Sequence, residues 1–86
     1  MKHVPLLLTQ RSKTHGDFGQ NAHHAQELRR LWRASARWHD MPDVQREALD
    51  MMATKLSRIL SGHAWCADHW QDIAGYAQLA LYACEK

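Results

Sequence analysis

Apolar residues recur at helical spacing in three successive segments of this chain, and nowhere do they alternate with period two. A strand with one buried face needs that alternation, so the pattern confines the chain to an all-α architecture. Between about Ala22 and Trp38, residues Ala25, Leu28, Leu31, Trp32, Ser35 and Trp38 share one face at helical pitch, with Gln26, Arg29, Arg30, Arg33 and Arg37 opposite. From about Pro42 to Ser61 the arc is Val44, Ala48, Met51, Met52, Leu56 and Ile59. From Asp68 or His69 to about Cys84 it is Trp70, Ile73, Ala77, Ala80, Leu81 and Cys84, with many alanines that permit close approach of a neighbouring helix. A short helix is also expected over roughly Val4 to Lys13, where Pro5 suits a first turn.

The punctuation agrees with these spans. Thr14 to Asn21 is turn-rich, and Asp17 or Asn21 can cap the helix that follows. Pro42 suits a first turn, with Asp43 beside it at the positive helix end. Gly62 fits the position just past a helix end. Asp68 with Gln71 three residues on reads as a capping box.

The expected product is a small bundle of three main helices plus the short N-terminal one, a single domain over residues 1–86. A chain of this length has a thin core, which makes oligomerisation an expectation. A 45% hydrophobic and 23% charged composition is ordinary for a globular domain and argues against disorder. A net charge of +2 is too mild to imply nucleic-acid binding. The arginine stripe is interleaved with Glu27 and reads foremost as a solvated face. The apolar run Val4 to Leu8 is too short for a signal peptide or a membrane span. Cys66 and Cys84 form no disulfide framework, so a reducing cytoplasm is the expected setting.

Several residues break the amphipathic pattern. Lys55 sits inside the apolar arc of its helix between Met51 and Ile59, with Arg58 at the edge. Asp72 is flanked on its own wheel by Tyr76, Leu79 and Ala83. An inward lysine and an inward acid on consecutive helices suggest an ion pair, or else a charged site for a phosphate or a metal. Lys55 and Asp72 are expected to pair between helices, and removing either alone should then destabilise by about 3–5 kcal/mol, whereas a loss below about 1 kcal/mol would mark an exposed pair. Glu47 and Asp50, three apart, lie within reach of one divalent cation but read first as a solvated face. His63, Cys66 and His69 carry ligand types without the spacing of a zinc finger. His24 and His39 fall on the apolar face of their helix, as core histidines do. No P-loop, Gly-x-Ser-x-Gly or Gly-x-Gly-x-x-Gly element is present.

Three elements, in order, carry a resemblance. His15-Gly16-Asp17-Phe18-Gly19 followed by Asn21 resembles H-G-D-Y/F-G-x-N. Lys55 to Gly62 resembles K-x-x-R-I-x-x-G. Asp68 to Ala77, Asp-His-Trp-Gln-Asp-Ile-Ala-Gly-Tyr-Ala, resembles D-x-W-x-D-I-A-G-Y-A and is the most specific of the three. Together, over about residues 10 to 84, they resemble a family of small phage and prophage proteins similar to the MazG-like all-α nucleoside-triphosphate pyrophosphatases. The resemblance implies a helical bundle that assembles as a dimer or tetramer, a nucleotide ligand, and a bacterial host cytoplasm as its setting. It implies Mg2+ as cofactor, with Asp68, Asp72 and Asp17 as metal-facing acids and Lys55 and Arg58 as phosphate-binding cations. The MazG-like enzymes carry a Glu-Glu-x-x-Glu cluster on an early helix. Here that helix has Glu27 with His23 and His24 nearby, and the acid three before Asp72 is His69. Two functions therefore lead: magnesium-dependent binding and hydrolysis of nucleoside triphosphates, or a non-catalytic accessory or anti-defence role through a host protein or a nucleotide; nucleic-acid binding through the arginine stripe ranks last because the net charge is small.

Overall fold

The structure is a computed structural model and describes residues 15–85. Helix α1 spans Phe18–Ala34, a 3-10 turn follows at Trp38–Asp40, helix α2 spans Asp43–Ser61, and helix α3 spans Ala67–Cys84. Among the described residues there is no strand. The helix expected over Val4 to Lys13 lies outside the described residues. No described helix is long and apolar enough to cross a membrane.

Helix α2 is the middle element, and α1 and α3 pack on two of its faces. The core beneath the α1–α2 and α2–α3 seams buries Ala25, Ala48 and Ala53, with Leu28, Trp32, Leu49, Met51 and Met52 half-buried. Small residues let the backbones approach, and polar bonds lock the register. Trp32 Nε1 donates to Leu49 O at 3.0 Å. Arg29 Nη2 donates to Asp50 O at 3.0 Å and to Thr54 Oγ1 at 2.6 Å. Arg33 Nη2 donates to Asp50 Oδ2 at 3.0 Å, and its guanidinium lies 5.3 Å from the buried Trp38 ring. The 3-10 turn thereby closes the bottom of the seam.

Four sequence expectations need correction. Helix α1 begins earlier and ends earlier than about Ala22 to Trp38, because Asp17 takes the cap: its Oδ2 accepts from Gln20 N at 3.1 Å. At the far end Ser35 turns extended and its Oγ accepts from Arg37 N. Helix α3 starts at Ala67, with Cys66 as cap residue and no side-chain cap bond, so the Asp68–Gln71 capping box does not form. Arg29, Arg33 and Asp50, expected on solvated faces, instead meet across the α1–α2 seam; the Asp50 side chain is only 21% exposed. His39 is exposed rather than inward, and Leu31 and Val44 also face outward.

The largest difference is on α3. Its inner face is His69, Ile73, Tyr76, Ala80 and Ala83, and the expected core members Trp70, Ala77, Leu81 and Cys84 are exposed. Apolar residues almost encircle this helix, so the wheel alone does not fix its rotation. Two contacts do. His69 is buried against His15, ring centroids 5.0 Å apart and nearly perpendicular. Lys55 Nζ lies 3.1 Å from Asp72 Oδ2. Both turn α3 toward His69 and Asp72, leaving a second apolar stripe outside.

Candidate functional site

The three sequence elements converge. Gly16 carries a φ of +80°, a conformation costly for any residue with a Cβ. A Cβ there would lie 2.3 Å from Ser61 O and 2.9 Å from Gly62 N, so only glycine lets this turn press on the end of α2. That contact joins the first element to the second. The His15–His69 ring contact joins the first to the third, and the Lys55–Asp72 pair joins the second to the third.

Between the Gly16 turn, one face of α1 and the C-terminal half of α2 lies a cleft of about 640 Å3. From α1 it takes Phe18, Ala22, Ala25, Gln26 and Arg29, residues at helical spacing on one stripe. From α2 it takes Thr54, Ser57 and Arg58, and from the turn His15, Gly16 and Asp17. Asn21 also lines it, and its Oδ1 is buried with no hydrogen-bond partner among the described residues.

Most polar groups here already have work. Arg29 holds Thr54 and Asp50. Ser57 Oγ donates to Thr54 O at 2.6 Å. Asp17 caps α1. Arg58 is different: it is half-buried, lines the cleft, and makes no hydrogen bond or ion pair through its side chain among the described residues. It sits in the last turn of α2, where the helix favours a cation. A half-buried guanidinium without a carboxylate partner is available to an anion, and its planar fork suits a phosphate.

The other expected site residues distribute as follows. Lys55 has a 15% exposed side chain and is committed to Asp72, which is 47% exposed. The pair lies on the α2–α3 side, not among the residues of the cleft. It is a partly solvated pair, so the 3–5 kcal/mol expected of full burial does not apply. Asp68 is exposed in the first turn of α3. Asp17, Asp68 and Asp72 do not form one ligand set: among the described residues no group of three or more His, Cys, Asp or Glu side chains is placed to hold a metal. His63, Cys66 and His69 fall under the same finding. His63 Nδ1 accepts from Trp65 N at 3.1 Å, and Asp50 faces two arginines.

A second, more open groove of about 820 Å3 runs between Trp38, Val44, Glu47, Tyr76 and Leu79. Its arginines are paired, Arg33 with Asp50 and Arg46 with the exposed Asp43, although Arg46 Nε is buried with no hydrogen-bond partner among the described residues. The uncommitted cation thus distinguishes the first cleft. The sequence pointed to Arg58 but not to Phe18, Asn21 and Gln26 beside it. Their spacing with Ala22, Ala25 and Arg29 is the signal that connects them.

Comparison with curated proteins and with solved structures gives no match. A family profile described as a domain of unknown function, DUF6378, matches residues 3–83. That match covers all three elements and both clefts, and the chain belongs to the DUF6378 family.

Proposed function

We propose that this chain is a small MazG-like helical protein of phage or prophage origin that binds nucleoside triphosphates in the cleft between α1 and α2, in the cytoplasm of the bacterial host. The observation that carries the reading is Arg58, a half-buried cation with no ion-pair partner among the described residues, in a cleft of nucleotide-accommodating size. Magnesium enters with the nucleotide, held by its phosphate oxygens rather than by a protein cage, as is common for this ion. Among the described residues Asp17 is the one carboxylate lining the cleft. The resemblance to pyrophosphatases adds hydrolysis, with release of pyrophosphate, as the activity to assay.

A thermal-shift screen of nucleoside mono-, di- and triphosphates, each with and without magnesium, tests the reading. A ligand of the folded state raises the melting temperature by mass action. Stabilisation by a triphosphate that is lost in Arg58→Gln is the expected result, and a turnover assay on that nucleotide then separates enzyme from binder. No shift with any nucleotide would refute the proposal.

One observation favours a second reading, a non-catalytic accessory protein that works through a protein partner. Trp70, Ala74, Ala77, Leu81 and Cys84 form an exposed, uncharged stripe along α3. The stripe is close to self-complementary about Ala77, so two antiparallel copies of α3 would set Trp70 of one near Cys84 of the other. A homodimer through this face supports the oligomeric expectation and leaves the cleft open on the far side of α2. A host protein on the same face is the accessory-protein version. Light scattering on the purified chain followed by a host pull-down separates them.

A further inference from the structure

We propose that the cleft recognises the base of its ligand as well as the phosphate, with Phe18 as the stacking platform. The ligand class is then a base-bearing nucleotide, and inorganic polyphosphates and sugar phosphates are excluded. The inference rests on the phosphate reading of Arg58 given above.

Phe18 is the first residue of α1 and is 81% exposed. At that exposure its ring adds almost nothing to the core. Single exposed apolar residues are common and alone call for no explanation. Phe18 is set apart by its neighbours. It lines the same cleft as the uncommitted Arg58. Behind it on the same stripe lie Ala22 and Ala25, whose short side chains leave room for a flat ring. Beside them are two side-chain amides, the exposed Gln26 and Asn21 with its Oδ1 buried, neither of which makes a side-chain hydrogen bond among the described residues. An aromatic face, a flat floor and free amides are the components that hold a nucleobase: stacking supplies affinity, and the amides meet the donors and acceptors of its edge. The guanidinium is suited to the phosphate. The Gly16 turn places Phe18 where it is, because the turn with φ of +80° presses against the end of α2 two residues before Phe18.

The test is a set of binding titrations on the full chain, with inorganic triphosphate and with each common nucleoside triphosphate, all with magnesium. Wild type is expected to bind at least one nucleoside triphosphate about ten-fold or more tighter than inorganic triphosphate, in line with the worth of one stacked base. Phe18→Ala should erase that margin while leaving inorganic triphosphate binding unchanged, and Phe18→Trp should keep it. Arg58→Gln should weaken both ligands. Melting temperatures of the Phe18 variants check that the fold is intact, as expected for so exposed a residue. Equal binding of nucleotide and inorganic triphosphate, or a Phe18→Ala variant with wild-type affinity, would overturn the inference and leave the phosphate site standing. Absence of binding by either ligand would overturn the phosphate reading and this inference with it.

Discussion

Substituting alanine for glycine at two positions should produce opposite effects, and the contrast tests how the Gly16 turn is built. At Gly16 the φ of +80° costs an L-residue about 1–2 kcal/mol. The new Cβ would also stand 2.3 Å from Ser61 O and 2.5 Å from Ser61 C, both backbone atoms at the end of a helix that cannot rotate aside. Relief requires the turn and the helix end to separate, a distortion of the overpacking kind worth about 1–3 kcal/mol. Gly16→Ala should therefore destabilise by about 2–5 kcal/mol. For a domain of this size that corresponds to a fall in Tm of about 10 °C or more. At Gly75, inside α3, a Cβ would meet nothing within 4 Å. Alanine there replaces the weaker helix former on an exposed face and should stabilise by about 0.5–1 kcal/mol. Urea and thermal unfolding followed by circular dichroism, at fixed protomer concentration, measure both. A Gly16→Ala variant within about 1 kcal/mol of wild type would refute the account of the turn, since the threshold sits well below the sum worked out above. So would a Gly75→Ala variant that loses as much as Gly16→Ala. Because the turn carries His15, Asp17 and Phe18, Gly16→Ala should also abolish nucleotide binding, whereas Gly75→Ala should not alter it.

Three further perturbations discriminate among the contacts. Asp50→Ala removes the carboxylate that Arg33 bonds at 3.0 Å and Arg29 faces at 3.8 Å, and should cost about 2 kcal/mol in urea unfolding, because charge-assisted bonds at a partly buried site exceed surface pairs. A double-mutant cycle on Lys55→Met and Asp72→Asn should return a coupling of about 1 kcal/mol or less, since Asp72 is half in water; a value near 4 kcal/mol would mean that the pair is sealed from solvent. Leu81→Lys places a charge in the exposed α3 stripe and should convert a dimer to a monomer by light scattering with helix content unchanged; a wild-type chain that is monomeric at high concentration would remove the stripe as a self-association face.

The existence and approximate span of the three described helices could be read from periodicity, because α1 and α2 each have a polar face opposite an apolar one. Boundaries were less legible. Asp17 and Asn21 are both competent caps, and only the geometry selects Asp17. The rotation of α3 was not legible because alanines and aromatics surround it, leaving no unique stripe. It is set by a buried histidine and an ion pair, His69 with His15 and Asp72 with Lys55, which are long-range contacts. The off-pattern Lys55 and Asp72 did mark a place where two helices meet. The site itself was half legible. Arg58 stood out as a cation at the edge of an apolar arc. Phe18 and Asn21 stood in the first sequence element without a binding role, and Gln26 read as part of a solvated face; α1 starts at Phe18 rather than about Ala22, which brings Phe18 onto the stripe of Ala22, Ala25 and Arg29. The arginine stripe misled for a related reason. Long guanidinium side chains on a helix flank can reach across a seam, and Asp50 was waiting on the other side.

The central claim, that a nucleotide binds between α1 and α2, is tested most directly by mapping backbone amide shifts in the 15N-labelled chain. The titrants are magnesium complexes of each common nucleoside triphosphate. The account predicts saturable shifts concentrated in residues 15–29 and 54–58, and their loss in Arg58→Gln. Shifts centred instead on the groove of residues 38–47 and 76–79, or no shift at millimolar nucleotide, would contradict it.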